Sequence, residues 1–259
     1  GNTTTDLSPS GQTVWINRTS RTFQGKHGSA LDFSGSVSVY SPQSKDINFN
    51  FTENFTIESW IYPHSLGSKY ILKKGLSYDM YFISGDHLRS TIKMGGVDRV
   101  YLESTSQIST NEWTHVAITY NNETLYLYIN GIEEASQNIS STIMGQNDNL
   151  IIGSDSESGG SNTFDGIIDS IAFYNRTLNS TEISEHAQDK FTSNTGENLG
   201  ILNRYIQYKV FLETNDTSST PALESISFDY NNFSTYIYNH VPFNVTLTYP
   251  IGGSIINTT

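Results

Sequence analysis

QISTNEWTHVAITYNNETLYLYINGIEEA, residues 107–135, decides the fold. Trp113, His115, Ala117 and Thr119 alternate with Thr114, Val116, Ile118 and Tyr120, so this run is apolar, or nearly so, on both faces. Asn121-Asn122 supplies a turn, and TLYLYI, Thr124 to Ile129, makes a second strand. Asn130-Gly131 is the strongest two-residue signal for a tight reversal, because both positions tolerate positive φ. A third, shorter strand starts at Ile132. The stretch reads as a hairpin with one more strand attached.

The same pattern continues outward in both directions. Phe55 to Tyr62 puts Phe55, Ile57, Ser59 and Ile61 on one face and Thr56, Glu58, Trp60 and Tyr62 on the other, and Pro63 stops it. Short strands are expected at 13–16, 30–33, 37–40, 70–72, 78–83, 87–92, 99–102, 149–152 and 167–174, separated by Gly-containing turns. One short helix is expected, with Ser180 capping Thr181 to His186 and acidic residues in its first turn. Many short strands with a single helical turn give an all-β, antiparallel sandwich. No solenoid-type repeat is present.

Composition narrows the function. The 259 residues contain no cysteine, so packing, metal or sugar must stabilise the chain in place of disulfides. A formal charge of −12 argues against nucleic acid as a partner. No apolar run reaches the roughly 18 residues a membrane span needs. No basic-plus-apolar leader opens the chain; for an exported protein, that signal would already have been removed. Asn-X-Ser/Thr triplets begin at Asn2, Asn17, Asn50, Asn54, Asn122, Asn138, Asn175, Asn179, Asn215, Asn232, Asn244 and Asn257. The set exceeds what the Asn, Ser and Thr content supplies, and implies N-linked glycans on an extracellular, cell-surface protein. Chance in a chain so rich in these residues is the alternative.

The segments GKHGSALDF, FTIESWIYP, NEWTHVAITYNNETLYLYINGIEE, NLIIGSD and FDGIIDSIAFYNRTLNSTEI, in this order, resemble the successive signatures of the laminin G-like jelly rolls of the concanavalin A-like lectin/glucanase superfamily. The likeness covers about residues 5 to 188. It implies a jelly roll of two curved antiparallel sheets, a sugar- or protein-binding module, and in some members a structural calcium. Two departures stand out. Ser34 replaces the Asp that often precedes the glycine of the ALxFDG segment, and the family's opening strand, "yWpFde", looks missing. The expected organisation is a jelly roll over 1–188, a two-strand β segment over 189–235, and a linker with a candidate donor strand over 236–259. The middle segment is similar to one that often follows such jelly rolls in prokaryotic, especially archaeal, surface proteins. In the last, NVTLTY alternates perfectly and resembles the opening strand of an Ig-like repeat, so Val245, Leu247 and Tyr249 are candidates for strand exchange with another copy of the chain. An excised piece of a longer multidomain protein is the alternative.

Catalytic patterns are scarce. The superfamily's hydrolases place acidic residues at i, i+2 and i+5 on one strand, and no Glu-x-Asp-x-x-Glu occurs here. Glu133 and Glu134 are adjacent and point to opposite faces; Glu58 stands alone in its strand and reads as a rim carboxylate. His115 reads as a structural histidine. No enzyme activity is expected. Strand alternation would place Asp169 on the face of Ile167, Ile171 and Phe173, where an inward carboxylate needs backbone donors or a cation. With Asp148, Asp155 and Asp165 in nearby loops, where Glu157 also lies, it forms a candidate calcium set, oxygen ligands on flexible backbone suiting that ion. Exposed aromatics beside amides and carboxylates would bind sugar. Tyr62, Tyr70, Tyr78, Tyr81, Tyr101, Tyr126 and Tyr128 are available, but the sequence does not separate sheet-face tyrosines from ligand tyrosines. The expected function is a non-enzymatic, glycosylated extracellular module for adhesion or carbohydrate or protein binding within a surface layer, appendage or filament. A structural filament subunit joined by exchanged strands, and a glycoside hydrolase, are the alternatives.

Overall fold

A computed structural model describes residues 2–5, 13–35, 37–42, 54–95, 99–139 and 148–188, with the backbone of two short strands at 226–227 and 244–245. The chain divides into two units, Gly1–Leu202 and Asn203–Thr259. The first contains β1 (Asn2–Thr5), β2 (Thr13–Asn17), β3 (Ser20–Gly25), β4 (Gly28–Asp32), β5 (Ser38–Ser41), β6 (Phe55–Pro63), β7 (Tyr70–Lys74), β8 (Tyr78–Phe82), β9 (His87–Lys93), β10 (Arg99–Gln107), β11 (Thr114–Tyr120), β12 (Thr124–Ile129), β13 (Ile132–Asn138), β14 (Leu150–Ile152), β15 (Gly166–Tyr174) and α1 (Ser180–Ala187). In the second, β16 (Ile226–Ser227) pairs antiparallel with β17 (Asn244–Val245). Of the candidate exchange residues, Val245 pairs with Ile226 in that ladder, while Leu247 and Tyr249 lie outside the described residues.

Two antiparallel sheets form the sandwich. The eight-stranded sheet has the order β1-β2-β5-β14-β7-β8-β9-β10, and the seven-stranded sheet β13-β12-β11-β6-β15-β4-β3. The 107–135 stretch supplies β11, β12 and β13 as neighbours, and their turn is as expected: Asn130 and Gly131 have φ of 49° and 80°. Phe55, Ile57, Ile61, Val116, Ile118, Leu125 and Leu127 face inward from the seven-stranded sheet. They meet Leu72, Met80, Phe82, Leu88, Ile92 and Leu150 from the other. Each such aliphatic or aromatic side chain, fully buried, contributes about 1.5–3 kcal/mol.

The second face of β11 is buried too, which explains why its alternation showed no polar side. His115, Ala117 and Thr119 are all buried, and Ala117 joins Tyr128, Leu178 and, from α1, Ile183 in a second apolar cluster. The helix begins one residue earlier than expected. Asn179, not Ser180, is the cap: its Oδ1 accepts the backbone N–H groups of Thr181 and Glu182 at 2.9 and 3.0 Å, and Glu182 reaches back to the Asn179 N–H at 2.8 Å. That reciprocal box satisfies orphan donors which a Ser180 cap would leave open.

Strand β15 departs from simple alternation. Its register shifts between Asp169 and Ala172, and Ser170 adopts φ 50°. The extra residue turns Ile171 and Phe173 into the core phase of Ile168 and leaves Asp169 on the opposite face, paired with Trp60. Asp169 therefore does not share the face of Ile171 and Phe173. It accepts the backbone N–H of His27 at 2.8 Å, pinning the β3–β4 turn over Trp60, with Lys26 Nζ 4.1 Å from the Trp60 ring. The turn at Ser34 also has its own anchor: Asp32 accepts both the N–H and the hydroxyl of Ser34, at 2.9 and 2.6 Å.

Candidate functional site: an aromatic crevice on the eight-stranded sheet

The helix and the β3–β4 turn cover much of the outer face of the seven-stranded sheet, and α1 encloses a buried carboxylate there. Glu58 is 6% exposed, not a rim carboxylate. Its oxygens lie 2.8 Å from the Tyr174 hydroxyl, 2.9 Å from His186 Nδ1 and 3.3 Å from His115 Nε2. Burial alone would raise its pKa, but the hydrogen bonds and charges of the two histidines outweigh it and hold the carboxyl at about 2. A carboxyl so acidic, 6% exposed beneath a helix, is a poor proton donor.

The outer face of the eight-stranded sheet is different. Val14 and Ile16 of β2 and Val39 of β5 turn inward against the core, so alternation sends Trp15 and Tyr40 outward. The two are register partners, and their rings stack with centroids 6.3 Å apart and planes 9° from parallel. Trp15 remains 39% exposed, a large apolar surface for a strand position. The loop after β14 folds against this pair. The Glu157 carbonyl accepts from Asn17 Nδ2 at 3.0 Å and from Ser38 Oγ at 2.5 Å, and Asn149 Nδ2 donates to Glu157 Oε1 at 2.6 Å. Trp15, Ile16, Asn17, Tyr40, Glu157 and Ser158 line an open crevice of about 300 Å³. An aromatic plane beside an amide, a carboxylate and a hydroxyl offers both a stacking surface and directional hydrogen bonds.

The crevice sits at one end of a residue row that crosses the sheet. Trp15, Tyr40, Ile151, Lys73, Asp79, Thr91 and Tyr101 are successive partners on β2, β5, β14, β7, β8, β9 and β10. Six strand spacings make this row about 29 Å long. At its far end Arg89 lies over Tyr81 and Tyr101, 5.9 and 4.9 Å from the ring centres, and pairs with Glu103; Tyr70 stacks on Tyr81 at 4.8 Å. Asp79 is almost fully buried, with Arg99 3.8 Å away; its Oδ1 accepts no hydrogen bond among the described residues, and burial pushes its carboxyl up.

The structure thus sorts the candidate tyrosines. Tyr78 is core, Tyr126 and Tyr128 stack near α1, Tyr62 lies against Trp113, and Tyr70, Tyr81 and Tyr101 face outward on the eight-stranded sheet. Sequence alone does not single out Trp15 and Tyr40 as an outward pair, although inward Val14, Ile16 and Val39 around them are the signal, and it places Glu157 only among loop oxygens. The calcium set does not converge. Asp165 Oδ2 accepts from Ser65 Oγ at 2.5 Å, Asp155 Oδ2 from Asn162 Nδ2 at 2.8 Å, Asp169 holds the His27 N–H, and the Asp148 carbonyl accepts from Lys74 Nζ at 2.5 Å. Among the described residues no three His, Cys, Asp or Glu side chains are placed to hold a metal, and these four do not fit a shared cation.

A family model described as the concanavalin A-like lectin/glucanase superfamily, of the laminin G type, matches residues 33–184. The chain belongs to this superfamily. Among solved structures, this concanavalin A-like chain is similar to the binding domain of Paraclostridial Mosquitocidal Protein 1, with 21% identity, TM-score 0.62, and coverage of 73% of this chain and 50% of that one. It is also similar to the binding domain of botulinum neurotoxin serotype G (18%, TM-score 0.57, 71% and 48% covered). A third is domain 4 of AbnA, an extracellular arabinanase from Geobacillus stearothermophilus, solved with arabinotriose (21%, TM-score 0.55, 72% and 98%). The chain spans about half the length of the toxin binding domains it matches. At these identities the likeness is one of fold. No curated protein matches the sequence. No helix among the described residues is long and apolar enough to cross a membrane.

Proposed function

We propose that the first unit is a non-enzymatic carbohydrate-binding module of an extracellular protein, and that it takes an extended glycan along the outer face of the eight-stranded sheet. The observation that carries this reading is the stacked, outward Trp15–Tyr40 pair with Asn17, Glu157 and Ser158 at its edge. A pyranose or furanose ring presents C–H groups on its faces and hydroxyls around its rim. An aromatic plane covers the first, and the amide and carboxylate take the second. Farther along that face half-buried Lys73 and exposed Tyr101 offer further contacts, while Ile151, Asp79 and Thr91 of the same row are buried. Relatives of this fold that are named as binding domains, and one solved with an arabinose oligomer, support the reading.

A glycan array probed with the full chain, followed by calorimetry on the glycans it retains, tests it. Binding should fall at least tenfold in Trp15→Ala while the melting temperature stays put. Tyr101→Ala should weaken long oligosaccharides more than short ones. A wild-type protein that retains no glycan, or a Trp15→Ala variant that binds as well as wild type, would overturn the proposal.

A further inference from the structure

Six acceptor triplets begin at asparagines whose side chains are described: Asn17, Asn54, Asn122, Asn138, Asn175 and Asn179. All but Asn17 gather at one end of the seven-stranded sheet. Asn54 immediately precedes β6, Asn122 lies in the β11–β12 turn, Asn138 ends β13, Asn175 follows β15 and Asn179 caps α1. Strand register brings them level, through the partners Thr124 with Asn138, Tyr120 with Leu125, Tyr120 with Phe55, and Thr56 with Tyr174. All five are exposed, along an edge that crosses four strand spacings, or about 19 Å.

Fold geometry accounts for some of these asparagines. Asn122 holds φ 75°, and Asn179 makes the cap. It does not account for Asn54 and Asn175, whose side chains make no hydrogen bond among the described residues. Asn17 is the contrary case. It is half-buried, its Nδ2 is given to the Glu157 carbonyl, and it lines the crevice.

We infer that this end of the seven-stranded sheet is a clustered N-glycan attachment site, with Asn54, Asn122, Asn138 and Asn175 as acceptors and Asn17 left bare. The reading needs an exported protein and is independent of whether the crevice binds sugar. In the modification the anomeric carbon of a diphosphate-activated, lipid-linked oligosaccharide forms a bond to Nδ2. The C1–O bond to the diphosphate breaks, the diphosphate leaves with the electron pair, and one Nδ2 proton passes to a base of the transferase.

The structure also fixes when this happens. Thr56, the third residue of the Asn54 triplet, is fully buried; its hydroxyl donates to the Arg176 carbonyl at 3.0 Å and accepts the Leu178 N–H at 2.8 Å. Thr177, of the Asn175 triplet, donates to the Tyr120 carbonyl at 2.6 Å. A transferase that reads those hydroxyls reaches them only before β6, β11 and the β15–α1 connection close together. Attachment at Asn54 and Asn175 therefore precedes folding, and Asn17 stays bare in the folded product because a glycan there would occupy the half-buried position beside the Glu157 carbonyl and keep that loop from closing.

Glycopeptide mapping and intact mass of the full chain, secreted from an N-glycosylating host, provide the test. Sugar is expected at Asn54, Asn122, Asn138 and Asn175 and not at Asn17. Asn54→Gln and Asn175→Gln should each remove one glycan mass, and should leave the melting temperature of the unglycosylated protein unchanged. A drop there would show that the asparagine serves the fold instead. Folded, bare protein given a transferase and lipid-linked donor should gain no sugar at Asn54, whereas denatured protein should gain it. An unmodified secreted chain, or sugar at Asn17 with the sheet end bare, would overturn the site. Modification of folded protein at Asn54 would overturn the timing.

Discussion

Glu58 Oε1 lies 2.9 Å from His186 Nδ1, joining the middle of β6 to the last turn of α1 across 128 positions of sequence. A carboxylate with a folded pKa of about 2 against an ordinary 4.5 is bound more tightly in its charged form by the native state. Because the folded value is the lower one, this stabilisation is complete above about pH 4.5 and is lost as pH falls toward 2. The shift corresponds to on the order of 3 kcal/mol. Urea midpoints measured from pH 6 down to 2.5 should fall more steeply in wild type than in Glu58→Gln. Parallel curves would mean that other carboxylates govern the acid limb.

The helix depends on its apolar seat as well as on that pair. Ile183 is fully buried against Ala117, Tyr128 and Leu178, in a cluster separate from the main core. Ile183→Ala should cost about 2–3 kcal/mol, the low end for such truncations because the edge of a small cluster can relax. Chemical denaturation read by near-ultraviolet circular dichroism would measure it.

The cap offers a sharper comparison. Asn179→Ala removes the acceptor for two backbone N–H groups and should cost about 1 kcal/mol, whereas Asn179→Asp keeps the acceptor and should cost much less. Equal melting temperatures for the two variants would refute the cap assignment.

Gly166 and Gly35 separate collision from backbone strain. Both have φ in the left-handed half of the map, at 149° and 107°. A Cβ on Gly166 would stand 2.2 Å from the Tyr62 carbonyl oxygen and 2.8 Å from Pro63 Cα, where β15 meets β6; on Gly35 it would meet nothing within 4 Å among the described residues. Gly166→Ala should therefore cost about 3 kcal/mol or more, and Gly35→Ala only the conformational penalty of about 1–2 kcal/mol. Thermal unfolding of the pair gives the difference directly.

Much of the sandwich was legible because its signals are local. The Asn130-Gly131 reversal, the alternation of Phe55 to Tyr62 and the all-apolar β11 each depend on residues within one strand or one turn, where side-chain period and turn chemistry act directly. The misreadings arose where a single residue changes phase. One bulged residue, Ser170, moved Ile171 and Phe173 to the core side and set Asp169 on the other, and alternation has no means of registering an insertion in its own period. Glu58 looked solitary because both of its histidine partners come from other elements.

The sequence by itself determined an antiparallel sandwich and its central hairpin, since hydrophobic period and turn residues fix strands one at a time, and the order of its segments carried the resemblance to the superfamily. Tertiary structure alone decided that Trp15 stacks on Tyr40 with Glu157 beside them, that Glu58 is closed under α1, and that five asparagines of Asn-X-Ser/Thr triplets share one end of a sheet. Each of those facts depends on which strands become neighbours and in what register. That choice is made by long-range packing of the two sheets, which no window of the chain contains.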